Sequence, residues 1–315
     1  MELYDPFERL SFAATDCFLC GTKTDGTTEQ STVFPGWLMD RFKLHDMPFK
    51  LLDESMTSYG AMKIPCCQNC QELHLTPMEG RVDAAFDEGY AGVSALAGLE
   101  IFQWFSKILY GIIWIELQAA FAQHEGDEPL GISPSLLTKF RNMHLLLQSL
   151  RMPLIFEEFQ PWSLVLVKLD PATPEFDYRD EMATMIFSMA INDFGILICL
   201  QDHGENLNYH AALLKKIEGR PLPLIEFQEL CAMFYYSAYL FNPIAQYLIL
   251  PPAGNQADYS LSAQPLEGVG FRALFNPWDN KVYAQVLEAF WKPWNISKAE
   301  IMEDPAEPMS KLRAY

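Results

Sequence analysis

The sequence predicts an α+β protein with an N-terminal domain over residues 1–90, a mainly helical region over 91–152 and a mixed α/β domain over 153–315. Three observations lead to this prediction. Two C-x-x-C pairs lie near the N-terminus, and a long apolar run at helical spacing follows them. Stretches rich in β-branched residues then alternate with helical patterns.

The cysteine pairs predict a metal site in the first domain. Cys17 and Cys20 form the first pair, and Gly21 after them permits the turn that a metal-binding knuckle requires. Cys67 and Cys70 form the second pair. Four thiolates from two such pairs give the closed tetrahedral geometry of a structural zinc site, so we expect these four cysteines to bind Zn²⁺.

The remaining cysteines have other expected roles. Cys66 is an alternative to Cys67 as a ligand, but only Cys67 keeps the two-residue spacing to Cys70. Cys199 and Cys231 are single cysteines in apolar runs, and we expect them in the core. The seven cysteines are an odd number, and the first residues lack the basic start and apolar run of a secretory signal. We therefore expect reduced thiols and a cytoplasmic protein.

The composition limits the partners that this chain can bind. Lys and Arg total 22 and Asp and Glu total 41, so the formal net charge is 22 − 41 = −19. A charge of this sign repels phosphate backbones and anionic membrane surfaces. The most apolar stretch, residues 99–121, contains Glu100, Lys107 and Glu116. We therefore expect a buried helix there and no membrane-spanning segment.

The helical elements follow from caps and from periodicity. Thr76, Pro77 and Glu79 match a capped helix start, which predicts a helix over about 76–88. Apolar residues at helical spacing, bounded by Pro and Asn, predict the other helices. These further helices cover about 93–122, 133–150, 224–241 and 278–291.

The strands are predicted where β-branched and aliphatic residues lie between Pro, Asp and Gly. Residues 162–169, 185–201 and 244–250 have this composition, and the sequence INDFG within the second segment predicts a turn between two strands. Residues 252–268 are rich in turn-forming residues and predict a loop or linker. The polar tail, 303–315, is expected to fray.

A motif between the cysteine pairs adds a resemblance to a known family. Residues 33–38, Val-Phe-Pro-x-Trp-Leu, together with both pairs, resemble the bacterial HNH endonuclease family over residues 17–75. The resemblance implies a ββα finger stapled by zinc, with a histidine on the first strand as general base. It also implies His and Asn side chains around a catalytic divalent metal, and a setting in bacterial mobile elements or phage defence.

This sequence departs from the family pattern at the catalytic positions. Ser31-Thr32 stands where the family has Glu-His, and Gln71 stands where it has Asn. A threonine hydroxyl is not a base near neutral pH. His74 and His45 are the weak candidates that remain for a general base, beside Thr32 and Gln71 at the family's own positions. We therefore expect the finger to carry no catalytic residue.

The charge of the finger agrees with this expectation. Between Cys17 and His74 five basic residues stand against seven acidic ones, whereas a duplex-binding finger carries the opposite balance. The basic residues are Lys23, Arg41, Lys43, Lys50 and Lys63. The acidic residues are Asp25, Glu29, Asp40, Asp46, Asp53, Glu54 and Glu72.

The C-terminal half offers weaker candidates for a functional site. Asp202-His203 follows a predicted strand, where site residues often lie, but a turn is the commoner explanation of Asp-His-Gly. The aromatic residues of 234–241 either line a ligand groove or pack in the core and at an interface. The chain contains no G-x-x-x-x-G-K-[ST], no G-x-S-x-G and no H-E-x-x-H motif.

Three functions remain as hypotheses. The first is a non-catalytic HNH-like zinc-finger protein that acts as a protein-binding or regulatory component. The second is an active metal-dependent HNH DNA endonuclease with a rearranged site, and the third is an acidic protein that mimics DNA. We favour the first hypothesis. We expect a protein partner or a homo-oligomer, no binding to bare nucleic acid and no membrane association.

Overall fold

A computed structural model of the chain describes residues 3–52, 54–123, 132–156, 160–170, 176–242, 245–252, 258–265 and 273–312. Helices and mainly antiparallel strands both contribute, so the predicted α+β class is confirmed. The chain forms two compact units. Unit 1 comprises Met1–Glu158 and Ala245–Pro265, and unit 2 comprises Phe159–Ile244 and Leu266–Tyr315. The predicted boundaries at residues 90 and 152 stay predictions, because a division by compactness does not test which segments fold alone.

The secondary structure elements are numbered in chain order over the described residues. The helices are α1 (Gly36–Phe42), α2 (Gln68–Cys70), α3 (Thr76–Asp87), α4 (Gly89–Ala95), α5 (Gly98–Gln123), α6 (Pro134–Leu147), α7 (Glu205–Tyr209), α8 (Ala211–Ile217), α9 (Leu224–Leu240), α10 (Asn280–Phe290) and α11 (Lys298–Ile301). The strands are β1 (Gln30–Thr32), β2 (Pro48–Lys50), β3 (Met56–Ser58), β4 (Lys63–Pro65), β5 (Leu154–Phe156), β6 (Ser163–Lys168), β7 (Phe176–Glu181), β8 (Ile186–Ile191), β9 (Phe194–Cys199), β10 (Ala245–Leu250) and β11 (Tyr259–Pro265).

Helix α5 forms the centre of unit 1, as predicted for a buried helix. Every residue from Ile101 to Trp114 is buried. Among the described residues α5 is the one helix long and apolar enough, over Gly98–Ala122, to cross a membrane by length and composition, and 67% of its apolar window lies inside the protein. A core helix meets the same two criteria, and this burial agrees with a core helix. The helix begins at Gly98 and not near residue 93, because Leu96 is extended.

The cysteine pairs flank a small two-stranded sheet. β1 and β4 pair antiparallel, with Ser31 opposite Ile64. Helix α1 and the β2–β3 hairpin are inserted between these two strands in the chain. After β4 the chain runs through α2 into α3 without leaving helical geometry, because a π turn over Gln71–Leu75 connects the two helices. The predicted helix cap at Thr76 is therefore wrong, although α3 itself occurs as predicted.

A three-stranded sheet in unit 1 is only partly predicted by the sequence. β10 agrees with the strand predicted over 244–250, and it pairs antiparallel with β11, which pairs parallel with β5. The loop predicted over 252–268 is wrong for Tyr259–Pro265, because pairing on both sides makes that segment a central strand. Residues 253–257 and 266–268 of the predicted loop lie outside the described residues.

Unit 2 is built on an antiparallel sheet with strand order β6-β9-β8-β7. The strands predicted over 162–169 and 185–201 occur as β6 and the β8–β9 hairpin, whose turn contains Asn192 in a left-handed conformation. The predicted helices 224–241 and 278–291 occur as α9 and α10. Helix α9 passes close to the sheet, since a Cβ atom at Gly195 would lie 2.5 Å from the Phe227 ring.

The described part of the C-terminal tail packs against unit 2, so the prediction of a frayed tail is wrong for Ser310, Lys311 and Leu312. The reason is the Glu229 carboxylate of α9, whose residue is only 1% exposed. Its oxygens accept hydrogen bonds from the Ser310 hydroxyl and from the backbone nitrogens of Lys311 and Leu312, at 2.7 and 3.1 Å for the two nitrogens. A buried carboxylate needs such donors, and the tail supplies them. Residues 313–315 of the predicted tail lie outside the described residues.

Candidate metal centre

Four thiol groups converge in unit 1. The sulfur atoms of Cys17, Cys20, Cys67 and Cys70 all lie within 4.8 Å of one another. The Sγ atoms of Cys20 and Cys67 are 3.6 Å apart. Zinc–sulfur bonds of about 2.3 Å in a tetrahedron separate neighbouring sulfurs by about 3.8 Å, so the cluster has the size that a thiolate-bound metal requires.

The first pair is held by a tight turn. The backbone nitrogen of Cys17 donates to the Thr22 oxygen at 2.9 Å, and that of Gly21 donates to the Cys17 oxygen at 2.8 Å. Gly21 has a φ of +72°, which favours glycine. A Cβ atom at this position would also lie 2.3 Å from the Tyr4 ring. Both reasons explain why glycine follows the second cysteine of the pair.

The second pair lies where β4 passes into helix. Cys67 is the N-cap of α2, and its carbonyl oxygen accepts a hydrogen bond from the Gln71 nitrogen at 3.0 Å. The Phe18 nitrogen, inside the first pair, donates to the Pro65 oxygen at 2.8 Å. This backbone hydrogen bond fixes one pair against the other. The 46 residues between Cys20 and Cys67 therefore form a loop that the two pairs close.

The register of the second pair follows the two-residue spacing. Cys66 is buried, but it is not a member of the group of four whose sulfurs converge. Its sulfur lies 3.7 Å from the carbonyl oxygen of Cys67. Cys199 and Cys231 are buried in the core of unit 2, as predicted.

Without a bound cation, the thiols of the cluster differ widely in pKa. Hydrogen bonds from Cys20, Cys66 and Cys70 lower the pKa of the Cys17 thiol far below its usual value. Hydrogen bonding to Cys17 and Cys20, together with burial, raises the pKa of Cys70, and burial raises the pKa of Cys67 to about 11. One thiolate is thus stabilised while the thiols of Cys67 and Cys70 are held in the protonated form. A divalent cation allows all four sulfurs to ionise together.

The donor set fits a structural metal and not a catalytic one. Thiolates are soft ligands that select zinc, copper(I) or iron–sulfur clusters. Four protein ligands around one ion leave no open position for water or substrate. The cluster is therefore able to hold a metal ion and to staple the chain, and it offers no site for metal-assisted hydrolysis.

Of the four weak catalytic candidates, His74 is the one that lines a cavity beside the cluster. This cavity has a volume of about 1,030 Å³, and Cys20, Cys67 and Cys70 line it as well. Burial, followed by the charge of Arg151, lowers the pKa of His74.

The other three candidates make their contacts outside this cavity, although Gln71 follows Cys70 directly in the chain. The His45 ring is exposed, and its Nε2 lies 2.7 Å from Asp40 Oδ1. Gln71 donates through Nε2 to the Thr76 hydroxyl at 3.1 Å. Thr32 ends β1, and its carbonyl oxygen accepts a hydrogen bond from Lys107. None of these three residues lines the cavity that His74 shares with the cysteines.

The sequence analysis missed the role of Lys107. Its side chain is 0% exposed, and Nζ lies 2.6 Å from the Thr32 oxygen, 3.0 Å from the Val33 oxygen and 2.8 Å from Glu79 Oε1. Gly111, one turn later on α5, allows the helix to lie against Val33, since a Cβ there would be 3.0 Å from a Val33 methyl. A charged residue inside an apolar run is the signal that indicates such a buried ion pair.

Asp202 in unit 2 is a structural residue. It is 4% exposed, and Oδ2 accepts hydrogen bonds from the Ser163 hydroxyl and from the backbone and side-chain nitrogens of Asn206, at 3.0 and 2.9 Å for the nitrogens. The next residue, His203, has a φ of +55°, so the segment is a turn that leads into α7. Burial raises the pKa of Asp202.

The hydrogen bonds continue from Asp202 to a buried histidine. The Ser237 hydroxyl donates to Asn206 Oδ1 at 2.6 Å, and Nε2 of His210 lies 2.9 Å from the same hydroxyl. Ser237 is fully buried in the middle of α9, so the serine is not accessible as a nucleophile. Burial lowers the pKa of His210 to about 4.

The stability of unit 2 is expected to fall as the pH falls from about 6.5 to about 4. Because the pKa of His210 is about 4 in the folded protein and about 6.5 in the unfolded chain, the unfolded chain binds more protons in this interval. The difference of about 2.5 units corresponds to about 3 kcal/mol of unfolding free energy. Chemical denaturation at several pH values measures it. His210→Gln should flatten the slope, and equal slopes for both proteins would contradict the prediction.

The geometry described above makes the N-terminal part of unit 1 a candidate metal-binding centre. Four converging thiols, two backbone-held turns and a closed ligand set lead to this conclusion. It rests on this chain alone, because no family model, no curated protein and no solved structure matches the sequence.

Proposed function

We propose that this chain is a cytoplasmic zinc-finger protein whose HNH-like finger is non-catalytic and acts as a protein-binding or regulatory component. The observation that carries the proposal is the combination of a closed thiol cluster with the Lys107 ammonium on the Thr32 backbone oxygen. The thiol cluster supports a structural metal. The Lys107 ammonium at Thr32 supports the loss of a catalytic metal at that strand.

Zinc is the metal that suits the cluster best. A tetrahedron of four thiolates indicates zinc or an iron–sulfur centre. Zinc needs no redox partner, and it supplies the folding energy that a region of short strands and turns requires. The ligands in this proposal are Cys17, Cys20, Cys67 and Cys70, with Cys66 outside the set.

The absence of catalysis in the proposal rests on charge and on side-chain chemistry. A nuclease finger of the resembled family needs a base at the position of Thr32 and a divalent cation nearby. Thr32 offers a hydroxyl, which does not accept a proton near neutral pH. The ammonium of Lys107 already lies 2.6 Å from the Thr32 oxygen and repels a second cation brought to that strand.

The cavity beside the cluster supports a protein partner. Its lining carries charges of both signs, with Arg9, Lys23 and Arg151 opposed by acidic residues that include Glu8 and Glu72. A nucleic-acid site concentrates basic residues, because affinity comes from neutralising phosphates. A mixed lining instead complements a peptide segment with charges of both signs. The family resemblance suggests a bacterial mobile-element or phage-defence setting for such a partner.

The purified protein is expected neither to cut DNA nor to bind it tightly. Plasmid incubated with Mg²⁺ or Mn²⁺ should stay supercoiled, since general-base help is worth about 10²–10⁴-fold and the catalytic metal site is missing as well. Titration of a short duplex at physiological salt should show weak binding. Cleavage that disappears in His74→Ala would establish the active-nuclease alternative instead, because that residue is the one candidate that lines the cavity beside the cluster.

The partner surface is tested with charge reversals. We expect the protein to capture a specific partner from its host, and the double variant Glu8→Lys/Arg9→Glu to lose that partner, because both residues line the cavity and are exposed. Lys43→Glu is the matched control, since Lys43 is exposed and lies outside the lining. Equal capture by all three proteins would contradict the assignment of this surface. Light scattering shows whether the partner is a second copy of this chain.

A further inference from the structure

Unit 2 contains a second cavity, which is unrelated to the thiol cluster. Its volume is about 270 Å³. This size is just below the 300–1,000 Å³ that is usual for drug-sized ligands, so the cavity admits a small molecule. Eight of the twelve lining residues are aromatic or apolar, and the polar ones are His210, Glu229, Asn280 and Ser310.

Two tyrosines of the lining are arranged around one tryptophan, which also lines the cavity. The ring centroid of Trp278 lies 4.8 Å from that of Tyr283, at an interplanar angle of 48°. The Tyr209 ring lies 6.4 Å from Trp278 at 22°. Behind them the Tyr236 ring packs edge-on against Trp278 at 4.6 Å, and its hydroxyl accepts a hydrogen bond from the Asp279 nitrogen at 3.2 Å. The cavity is therefore bordered by π systems that are fixed in several orientations.

The charge of the lining excludes anionic ligands. No Lys or Arg is among the described residues that line this cavity. Glu229 is the carboxylate in the lining, and its oxygens accept hydrogen bonds from Ser310, Lys311 and Leu312. Burial lowers the pKa of His210, which also lines the cavity, to about 4, so its ring is neutral near pH 7. A phosphate or a carboxylate would find no cation in this lining.

The same features favour a compact organic cation. Aromatic faces attract cations through the ring quadrupole, and they are the usual recognition surface for quaternary ammonium groups. A metal ion is a poorer match, because the oxygens of Glu229 are already engaged by the C-terminal tail. We propose that this cavity binds an alkylated ammonium of about the size of choline, with the cation against Trp278, Tyr283 and Tyr209.

The proposal is tested by comparing choline with its neutral isostere, 3,3-dimethylbutan-1-ol, in calorimetric titrations of the full chain. The two molecules have nearly the same shape, so the comparison isolates the charge. We expect choline to bind about 3- to 30-fold more tightly, which is the range that one cation–π contact supplies. Equal or tighter binding of the neutral alcohol, or no binding of choline at millimolar concentration, would overturn the proposal.

Two variants locate the site within the fold. Tyr209→Leu removes a ring that is 42% exposed, so the core remains packed, and choline affinity should fall several-fold while that of the alcohol stays similar. Trp278→Leu should abolish the preference for choline in protein that circular dichroism shows to be folded. Tyr239→Leu is the matched control, because this tyrosine is 70% exposed and is not in the lining. A Tyr209→Leu protein that retains the full preference would place the cation elsewhere and defeat the proposal.

Discussion

Replacing Cys70 with serine is expected to abolish zinc binding and to remove the cooperative unfolding of unit 1. The wild-type protein, purified without chelators, should contain one zinc per chain by elemental analysis. The variant loses one of four thiolates, and the ion is then open to water and to chelators. Thermal and chemical denaturation, followed by circular dichroism, measure the loss of structure.

The expected effect is large because the metal and the fold are coupled. Structural zinc contributes on the order of 10 kcal/mol in small zinc-binding peptides. The free energy of unfolding of a whole domain is only about 5–15 kcal/mol. Losing even half of the zinc contribution would therefore remove most of the stability of unit 1. The β1–β4 pair has only three residues in each strand, so strand pairing alone contributes little to the stability of this segment.

Cys66→Ser is the matched control for Cys70→Ser. Cys66 is buried and close to the cluster, but its sulfur is not among the four that converge. We expect this variant to keep its zinc and to lose little stability, since all four sulfurs that converge are retained. Loss of zinc from Cys66→Ser with retention in Cys67→Ser would show that the register of the second pair is wrong. A wild-type protein without zinc would refute the assignment of the metal itself.

The cysteine cluster could be predicted from the sequence because its signal is local. Each pair is complete within four residues, and Gly21 after the first pair reports a left-handed turn that the structure contains. Only the contact between the two pairs is non-local. It could be predicted because four thiolates from two such pairs typically bind one metal ion. The buried helix α5 was predictable for a similar reason, since its period and its length lie within one segment.

Features that depend on distant pairing could not be predicted in the same way. β11 is flanked by turn-forming residues, and it becomes a strand because β5, about a hundred residues earlier, and β10 pair with its two edges. The tail has a polar composition that is typical of a frayed end, yet Glu229 of α9 fixes it. In both cases a tertiary contact overrides the local preference. The cavity around Trp278 also assembles from four separate helices and from the segment that contains residues 308–312, so no motif indicates it.

Lys107 has a different meaning in the sequence and in the structure. In the sequence its charge only argues against a membrane-spanning helix. In the structure its ammonium joins α5 to the Thr32–Val33 backbone and to Glu79 of α3. The strand that ends at Thr32 is thus held by a buried cation. We therefore expect the stability of this part of unit 1 to depend on the Lys107 side chain.

Lys107→Met is accordingly expected to destabilise unit 1 by about 3–5 kcal/mol, the usual cost of removing one partner from a buried ion pair. The variant leaves the Glu79 carboxylate, which is 15% exposed, without its cation, and it removes the donor from two backbone oxygens. Denaturant titration of zinc-loaded protein measures the effect. The double variant Lys107→Met/Glu79→Gln should recover part of the loss, because it removes the unpaired charge.

An exposed lysine–glutamate pair in the same unit provides the control. Lys50 Nζ lies 3.3 Å from Glu54 Oε1, with side chains that are 60% and 82% exposed. Lys50→Met should therefore change the stability by less than about 1 kcal/mol, because solvent already screens this pair. If Lys107→Met cost no more than Lys50→Met, the ammonium would not hold the Thr32 strand. The Lys107 ammonium would then give no support to the proposal that the finger is non-catalytic.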